Sequence, residues 1–166
     1  MSIDFAPERG RILMCDFDPG RIPPEMDKNR QVVVMSPRSY NRRHGEGPGR
    51  SLVVPFTATD PKDFLTPADV PFRAGLYKSL PDKSWAICAA AMSVSHERLN
   101  RVRVREGHYQ HSMEVLSALD MARIEEGLRH ATAPPQSSLT FRWGFLFVFS
   151  PPFYLTYHDR HSMLIP

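Results

Sequence analysis

Gln31-Val-Val-Val-Met35 is the segment that most restricts what this chain can fold into. Three consecutive β-branched residues favour a pleated, extended backbone. A charged stretch, Glu25-Met-Asp-Lys-Asn-Arg30, leads into the run, and Ser36-Pro37 closes it. The strand is therefore short and stopped at both ends. The same pattern precedes it at Arg11 to Phe17, ended by the turn residues Asp18-Pro19-Gly20, and follows it at Ser51 to Phe56. Sixteen prolines against nine glycines spread such stops along the whole chain. They imply many short elements joined by turns.

The remaining segments fill in the outline. Thr57 to Asp82 carries prolines at 61, 67, 71 and 81, with a short edge strand predicted at Phe72 to Tyr77. Trp85 to Met92 is small and apolar and reads as a buried strand. Arg101-Val-Arg-Val-Arg105 alternates with period two, so one face is apolar and the other basic, a pattern suited to an exposed edge. Ser112 to His130 is the clearest helical stretch. Leu116, Leu119, Ile124 and Leu128 recur near helical spacing, and Val115 and Ala122 widen the stripe. Ser112 is the predicted N-cap, and Pro134-Pro135 forbids continuation.

Composition shifts at that point. Residues 1–133 read as one domain, and 134–166 as an extension rich in aromatics: Phe141, Trp143, Phe145, Phe147, Phe149, Phe153, Tyr154 and Tyr157. Its uncharged run is interrupted by Pro151-Pro152 and is shorter than the roughly 20 residues a membrane helix needs. The N-terminus lacks the basic and apolar regions of a secretory signal, so a cytoplasmic setting without membrane contact is expected. Cys15 and Cys88 lie in apolar, strand-like runs and read as buried, reduced thiols. The histidines show no ligand spacing, so neither metal nor cofactor is expected. A net charge of +3 permits an anionic partner without demanding one.

Arg30 stands at the mouth of one strand and Thr57 at the end of the next, so the two could share a phosphate-binding groove. A guanidinium offers a planar fork of donors that fits phosphate, and a threonine hydroxyl adds a neutral donor. The connecting loop carries Arg38, Arg42, Arg43 and Arg50 against Glu46, a basic excess beside that groove.

The arrangement resembles the MazF/PemK family of toxin endoribonucleases from bacterial toxin–antitoxin pairs. The likeness runs from about Arg9 to Thr132. It rests on the opening Arg9-Gly-Arg-Ile-Leu-Met-Cys-Asp-Phe-Asp-Pro19, on Arg30 before the second strand, and on Thr57 after Val-Val-Pro-Phe. It implies an α+β fold: a small, SH3-like, strongly bent antiparallel barrel of about five strands with a C-terminal helix. It also implies metal-independent, sequence-selective cleavage of single-stranded RNA by 2′-hydroxyl attack, leaving a 2′,3′-cyclic phosphate and a 5′-hydroxyl. Arg30 and Thr57 match the catalytic pair, and Glu25 matches an acidic loop residue that would serve as base. RNA contacts are expected from Lys28 and Asn29 beside Arg30, and from Arg38, Tyr40, Asn41, Arg42 and Arg43. Tyr40 would stack on a base or pack on the barrel. Further implications are a homodimer and a cognate antitoxin.

Three departures from the family pattern shape the alternatives. Gln31 follows the arginine where proline is usual, Cys88-Ala-Ala-Ala-Met92 carries no polar side chain, and the aromatic extension is additional. The alanine run motivates a catalytically inactive binder of RNA or a partner protein. Trp143-Gly144-Phe145 motivates a poison of DNA gyrase, resembling CcdB-type toxins of the same fold.

Overall fold

A computed structural model describes residues 2–18, 22, 28–42, 47–62, 65–106 and 108–133. The strands are β1 (Ile12–Asp16), β2 (Asn29–Val34), β3 (Arg50–Thr57), β4 (Asp69–Phe72), β5 (Ser84–Ile87), β6 (Met92–Ser95), β7 (Leu99–Asn100), β8 (Arg103–Glu106) and β9 (His108–His111). One helix follows, α1 (Ala118–Thr132). The main sheet runs β4-β5-β3-β2-β1-β7, with β6 also paired to β3, and β8 and β9 form a separate hairpin. All these pairings are antiparallel.

β3 gives the sheet its bend. Its first residues, Arg50 to Val53, pair with β6, whereas Phe56 and Thr57 pair with β5. Pro55 lies between the two stretches, opposite Val32 of β2. Having no N–H, it gives up one ladder bond where the strand changes neighbours. The expected α+β architecture, a bent antiparallel sheet with a C-terminal helix, is therefore present.

The apolar runs of β1 and β2 are continuous because both faces are covered. Ile12, Val33 and Met35 join one core cluster with Phe56, Phe72, Leu116, Met121 and Ile124, on the side that packs α1. Leu13, Cys15, Val32 and Val34 join a second with Ile3, Phe17, Val53, Val94 and Leu99. Ile124 is 0% exposed, and burying such a side chain stabilises by roughly 1.5–3 kcal/mol.

Several elements differ from the sequence expectations. The predicted edge strand at Phe72 to Tyr77 lies earlier, at β4, because Gly75 adopts φ 68° in a turn closed by the Leu76 N–H donating to the Arg73 carbonyl at 3.3 Å. The predicted strand from Trp85 to Met92 breaks into β5, a 3-10 turn at Cys88–Ala90, and β6. α1 begins at Ala118 with Ser117 as its cap, not at Ser112. Residues 113–116 instead run extended beside β1: the Ile12 N–H donates to the Glu114 carbonyl at 3.1 Å and the Leu116 N–H to the Gly10 carbonyl at 2.9 Å. Of the predicted stripe, Leu119 is 73% exposed, and Met121 and Gly127 are buried in its stead. Gly127 lets the helix approach closely, since a Cβ there would lie 2.7 Å from Cys88 Sγ and 2.9 Å from Val70 Cγ2.

Two carboxylates lock this region. Glu114 Oε1 accepts from the Lys78 N–H at 2.8 Å, and Oε2 accepts from the Ser79 N–H at 2.6 Å and the Ser112 hydroxyl at 3.2 Å. Asp120 accepts from the Tyr77 hydroxyl at 2.7 Å, the Ser117 hydroxyl at 3.0 Å and Arg123 at 2.9 Å. Burial raises the pKa of each, but these hydrogen bonds outweigh it, and both lie below their ordinary values.

Candidate nucleic-acid interface

Arg30 and Thr57 meet because of strand register. β2 and β3 pair with Val32 opposite Pro55. Continuing that ladder by two residues sets Arg30 opposite Thr57 on the same face. Arg30 Nη1 donates to Thr57 Oγ1 at 3.3 Å, and both side chains are partly buried. On its other side, Arg30 pairs across the sheet with Cys15 of β1, and Thr57 with Trp85 of β5.

The threonine hydroxyl is oriented as a donor. Its oxygen accepts from Arg30 and from the Thr59 N–H at 3.2 Å. A hydroxyl has two acceptor positions and one proton. With both acceptor positions engaged, the proton is what Thr57 offers to an incoming oxygen. A guanidinium has five donors, so holding Thr57 does not by itself exhaust Arg30.

A hook in the backbone fixes the start of β2. Lys28 adopts φ 63°, the left-handed region. Holding a non-glycine residue there costs on the order of 1 kcal/mol and needs surrounding support. Asp18 supplies it by accepting the Lys28 N–H at 2.7 Å, while the Lys28 carbonyl accepts from the Phe17 N–H at 3.2 Å. Asp18 read in the sequence only as a turn residue; its function as the anchor for the strand that carries Arg30 needed the contact across the loop.

Both described ends of the 38–50 loop are pinned from below. Asn41 is 0% exposed. Its Nδ2 donates to the Pro7 carbonyl at 2.8 Å and the Ser36 carbonyl at 3.0 Å, and its Oδ1 accepts from the Ser36 hydroxyl. This corrects the expectation that Asn41 contacts RNA: the amide is spent inside the protein. At the other end the His96 N–H donates to the Gly49 carbonyl, and Ser51 Oγ lies 2.9 Å from His96 Nε2. A Cβ on Gly49 would lie 2.5 Å from His96 Cε1.

The surface residues differ. Lys28, Asn29, Arg38 and Arg42 are exposed, with Arg42 Nε donating to the Ser39 carbonyl at 3.0 Å. Tyr40 is 73% exposed, so of its two readings the packed one fails. Glu25, Arg43 and the extension at 134–166 with Trp143-Gly144-Phe145 lie outside the described residues.

Both cysteines are buried and free. Burial pushes the Cys15 thiol up to about 12, with Arg98 lowering it and Asp16 raising it to a lesser extent. Burial likewise pushes Cys88 up to about 11. Both stay as neutral thiols, so Cys15 is no nucleophile despite its place beside Arg30. Among the described residues, no cluster of three His, Cys, Asp or Glu side chains could hold a metal, and no helix is long and apolar enough to cross a membrane.

The model of the PemK-like, MazF-like toxins of type II toxin–antitoxin systems matches residues 8–132. The chain is 33% identical over 129 residues to the uncharacterised protein YifN of Escherichia coli strain K12, covering 65% of this chain and 81% of that one. Its fold is similar to crystalline MazF from Deinococcus radiodurans, with a TM-score of 0.55 at 20% identity over 76% of this chain and 96% of that one. It is also similar to a mycobacterial endoribonuclease in complex with its cognate antitoxin, with a TM-score of 0.51 at 18% identity over 76% and 94%. At these identities the structural likeness concerns the fold.

Proposed function

Because the chain belongs to the PemK-like, MazF-like toxins of type II toxin–antitoxin systems, we propose that it is an endoribonuclease acting on single-stranded RNA. The ribose 2′-oxygen attacks the adjacent phosphorus, the bond to the 5′-oxygen breaks, that oxygen takes up a proton from solvent, and the products are a 2′,3′-cyclic phosphate and a 5′-hydroxyl. One observation carries this reading: the Arg30–Thr57 pair, a guanidinium and a hydroxyl brought together on one sheet face by the β2–β3 register.

Arg30 holds the phosphoryl oxygens and offsets the charge that grows on them, and Thr57 donates its proton to one of those oxygens. Guanidinium keeps its protons throughout, so Arg30 acts by positioning and electrostatics, not as a base. Glu25, five residues before Arg30, is proposed as the group that takes the 2′-hydroxyl proton. Lys28, Asn29, Arg38, Tyr40, Arg42 and Arg43 form the surrounding RNA-contacting surface, with Tyr40 stacking on a base. The reaction is proposed to be metal-independent, the protein a homodimer, and its regulator a cognate antitoxin in the cytoplasm. Residues 134–166 are proposed as an extension separate from the toxin domain.

The test is cleavage of a long single-stranded RNA in EDTA by wild type and by Arg30→Ala. Cuts at a recurring short sequence with 5′-hydroxyl ends, made by the wild type alone, support the reading. A folded, antitoxin-free wild type that leaves the RNA intact sinks it.

A further inference from the structure

Thr57 is the last residue of β3, and its ladder ends with it: Phe56 pairs with Ala86 of β5, and Thr57 with Trp85. Strand pairing fixes the Thr57 backbone, but a side chain at a strand end still has several staggered rotamers open to it. The orientation of its hydroxyl therefore depends on the turn that follows.

Two side-chain turns in succession build that exit. Thr57 Oγ1 accepts from the Thr59 N–H at 3.2 Å, and Asp60 Oδ1 accepts from the Lys62 N–H at 3.0 Å. Hydroxyl and carboxylate side chains make such turns by standing in for a backbone acceptor. Pro61 lies within the second turn, which sets φ at that residue and holds Asp60 extended. Lys62 then adopts φ 48°, the left-handed region. Among the described residues, Lys28 and Lys62 are the two non-glycine residues with positive φ, and each gives its N–H to an aspartate, Asp18 and Asp60. One hook precedes Arg30 and the other follows Thr57. Strain of this kind persists only where the surroundings over-determine it, and it clusters at functional sites.

Asp60 also reaches toward the strand that pairs with Thr57. Its Oδ2 lies 3.8 Å from Lys83 Nζ, and Lys83 Nζ lies 4.7 Å from the centre of the Trp85 ring. Trp85 is buried opposite Thr57, so the chain of contacts returns to its start. Both charges of the Asp60–Lys83 pair are largely exposed, and such pairs contribute little. The bond to the Lys62 N–H is the working contact.

We propose that Asp60 is a positioning residue for Thr57. By holding Lys62 it fixes the turn whose Thr59 N–H engages the Thr57 oxygen, and that leaves the hydroxyl proton to be donated. Asp60 acts through Thr57 alone and is given no contact with the RNA. The inference rests on the ribonuclease reading and adds the group that prepares one of its two donors.

The test uses the full chain and two readouts. The first is the side-chain torsion of Thr57, from three-bond couplings, with the exchange rate of the Thr59 amide, both by NMR. The second is single-turnover cleavage of a labelled RNA in EDTA. Asp60→Ala is expected to average the Thr57 torsion, to speed exchange at Thr59, and to lower the maximal rate by up to roughly 100-fold at an unchanged half-saturating RNA concentration. Asp60→Asn keeps an oxygen for the Lys62 N–H and discards the charge, so it should keep the torsion fixed and recover most of the rate. In a Thr57→Val background Asp60→Ala should cost nothing further, which a residue of merely structural importance would not show. A torsion that stays fixed in Asp60→Ala overturns the proposal. So does an equal loss of rate in the Thr57→Val background, or an asparagine variant as slow as the alanine one. Asp60 is exposed, so the core is expected to survive the substitution, and an alanine variant that fails to fold also overturns the proposal. A wild type that cuts no RNA, with the torsion still freed in Asp60→Ala, ends the nuclease reading and leaves Asp60 as the group that fixes Thr57.

Discussion

Replacing Thr57 by valine tests the proposed division of labour at the Arg30–Thr57 pair. Valine keeps the β-branched shape and strand preference, so the register of β3 with β2 and β5 should persist. What disappears is one oxygen, which accepts from Arg30 Nη1 at 3.3 Å and from the Thr59 N–H at 3.2 Å. Both bonds are long and partly exposed to solvent, so their loss should cost only about 1 kcal/mol of stability. The loss in rate is expected to be far larger. Removing one aimed donor from a developing oxyanion costs on the order of 10²–10³ in kcat. Thr57→Ser returns the hydroxyl and should recover most of the rate. Arg30→Ala should lose at least as much as Thr57→Val, and the double variant should fall well short of the product of the two losses, because both donors serve one phosphate. The assay is single-turnover cleavage of a labelled RNA in EDTA, with thermal midpoints measured alongside. A Thr57→Val enzyme of full rate refutes the donor role. So does a Thr57→Ser enzyme as slow as the valine variant, since the threonine would then matter by shape alone.

Three further outcomes follow from the packing and the charges. Gly127→Ala should lower the thermal midpoint: an alanine gains about 1 kcal/mol in helix propensity, but its Cβ would lie 2.7 Å from Cys88 Sγ and 2.9 Å from Val70 Cγ2 in a core where overpacking costs typically 1–3 kcal/mol. A raised midpoint on thermal melting would contradict this. Native protein should leave Cys15 and Cys88 unreacted with Ellman's reagent at neutral pH, the thiols being raised by burial to about 12 and about 11, and fast labelling without unfolding would show that the burial is wrong. Glu114 and Asp120 have lowered pKa values when folded, so their contribution is present above the unfolded values of 4.5 and 3.8 and is lost as pH falls through the folded ones. The thermal midpoint should drop more steeply below pH 4.5 in the wild type than in a Glu114→Gln variant.

What the sequence revealed and what it hid divide along the reach of the interactions. The strands that carry Arg30 and Thr57 are legible because β-branched runs and turn residues act locally, and antiparallel order then brings the two side chains together. The start of α1 was misread because Glu114 is held by the amides of Lys78 and Ser79, 36 and 35 residues away. Those bonds keep the segment extended where its spacing reads as helical. Asn41 was misread for a similar reason. A polar residue in a basic loop looks like a nucleic-acid contact, and only the Pro7 carbonyl, 34 residues earlier, shows that its amide is structural.

The same contrast explains how this fold can hold a fixed site under a variable surface. Arg30 and Thr57 are set by strand register, and register is resistant to change because a slip of one residue would exchange the core clusters that Val33 on one face and Val32 and Val34 on the other are packed into. The basic loop is fixed by side chains beneath it: Asn41 anchors one end, and the Gly49–His96 contact anchors the other. Exposed residues beside those anchors, such as Tyr40 and Arg42, lie outside both core clusters and can be exchanged without moving the pair. Selectivity and chemistry are then separable properties. Under the proposed function, changes at Tyr40 or Arg42 should alter which RNA is bound, and changes at Arg30 or Thr57 should alter whether it is cut.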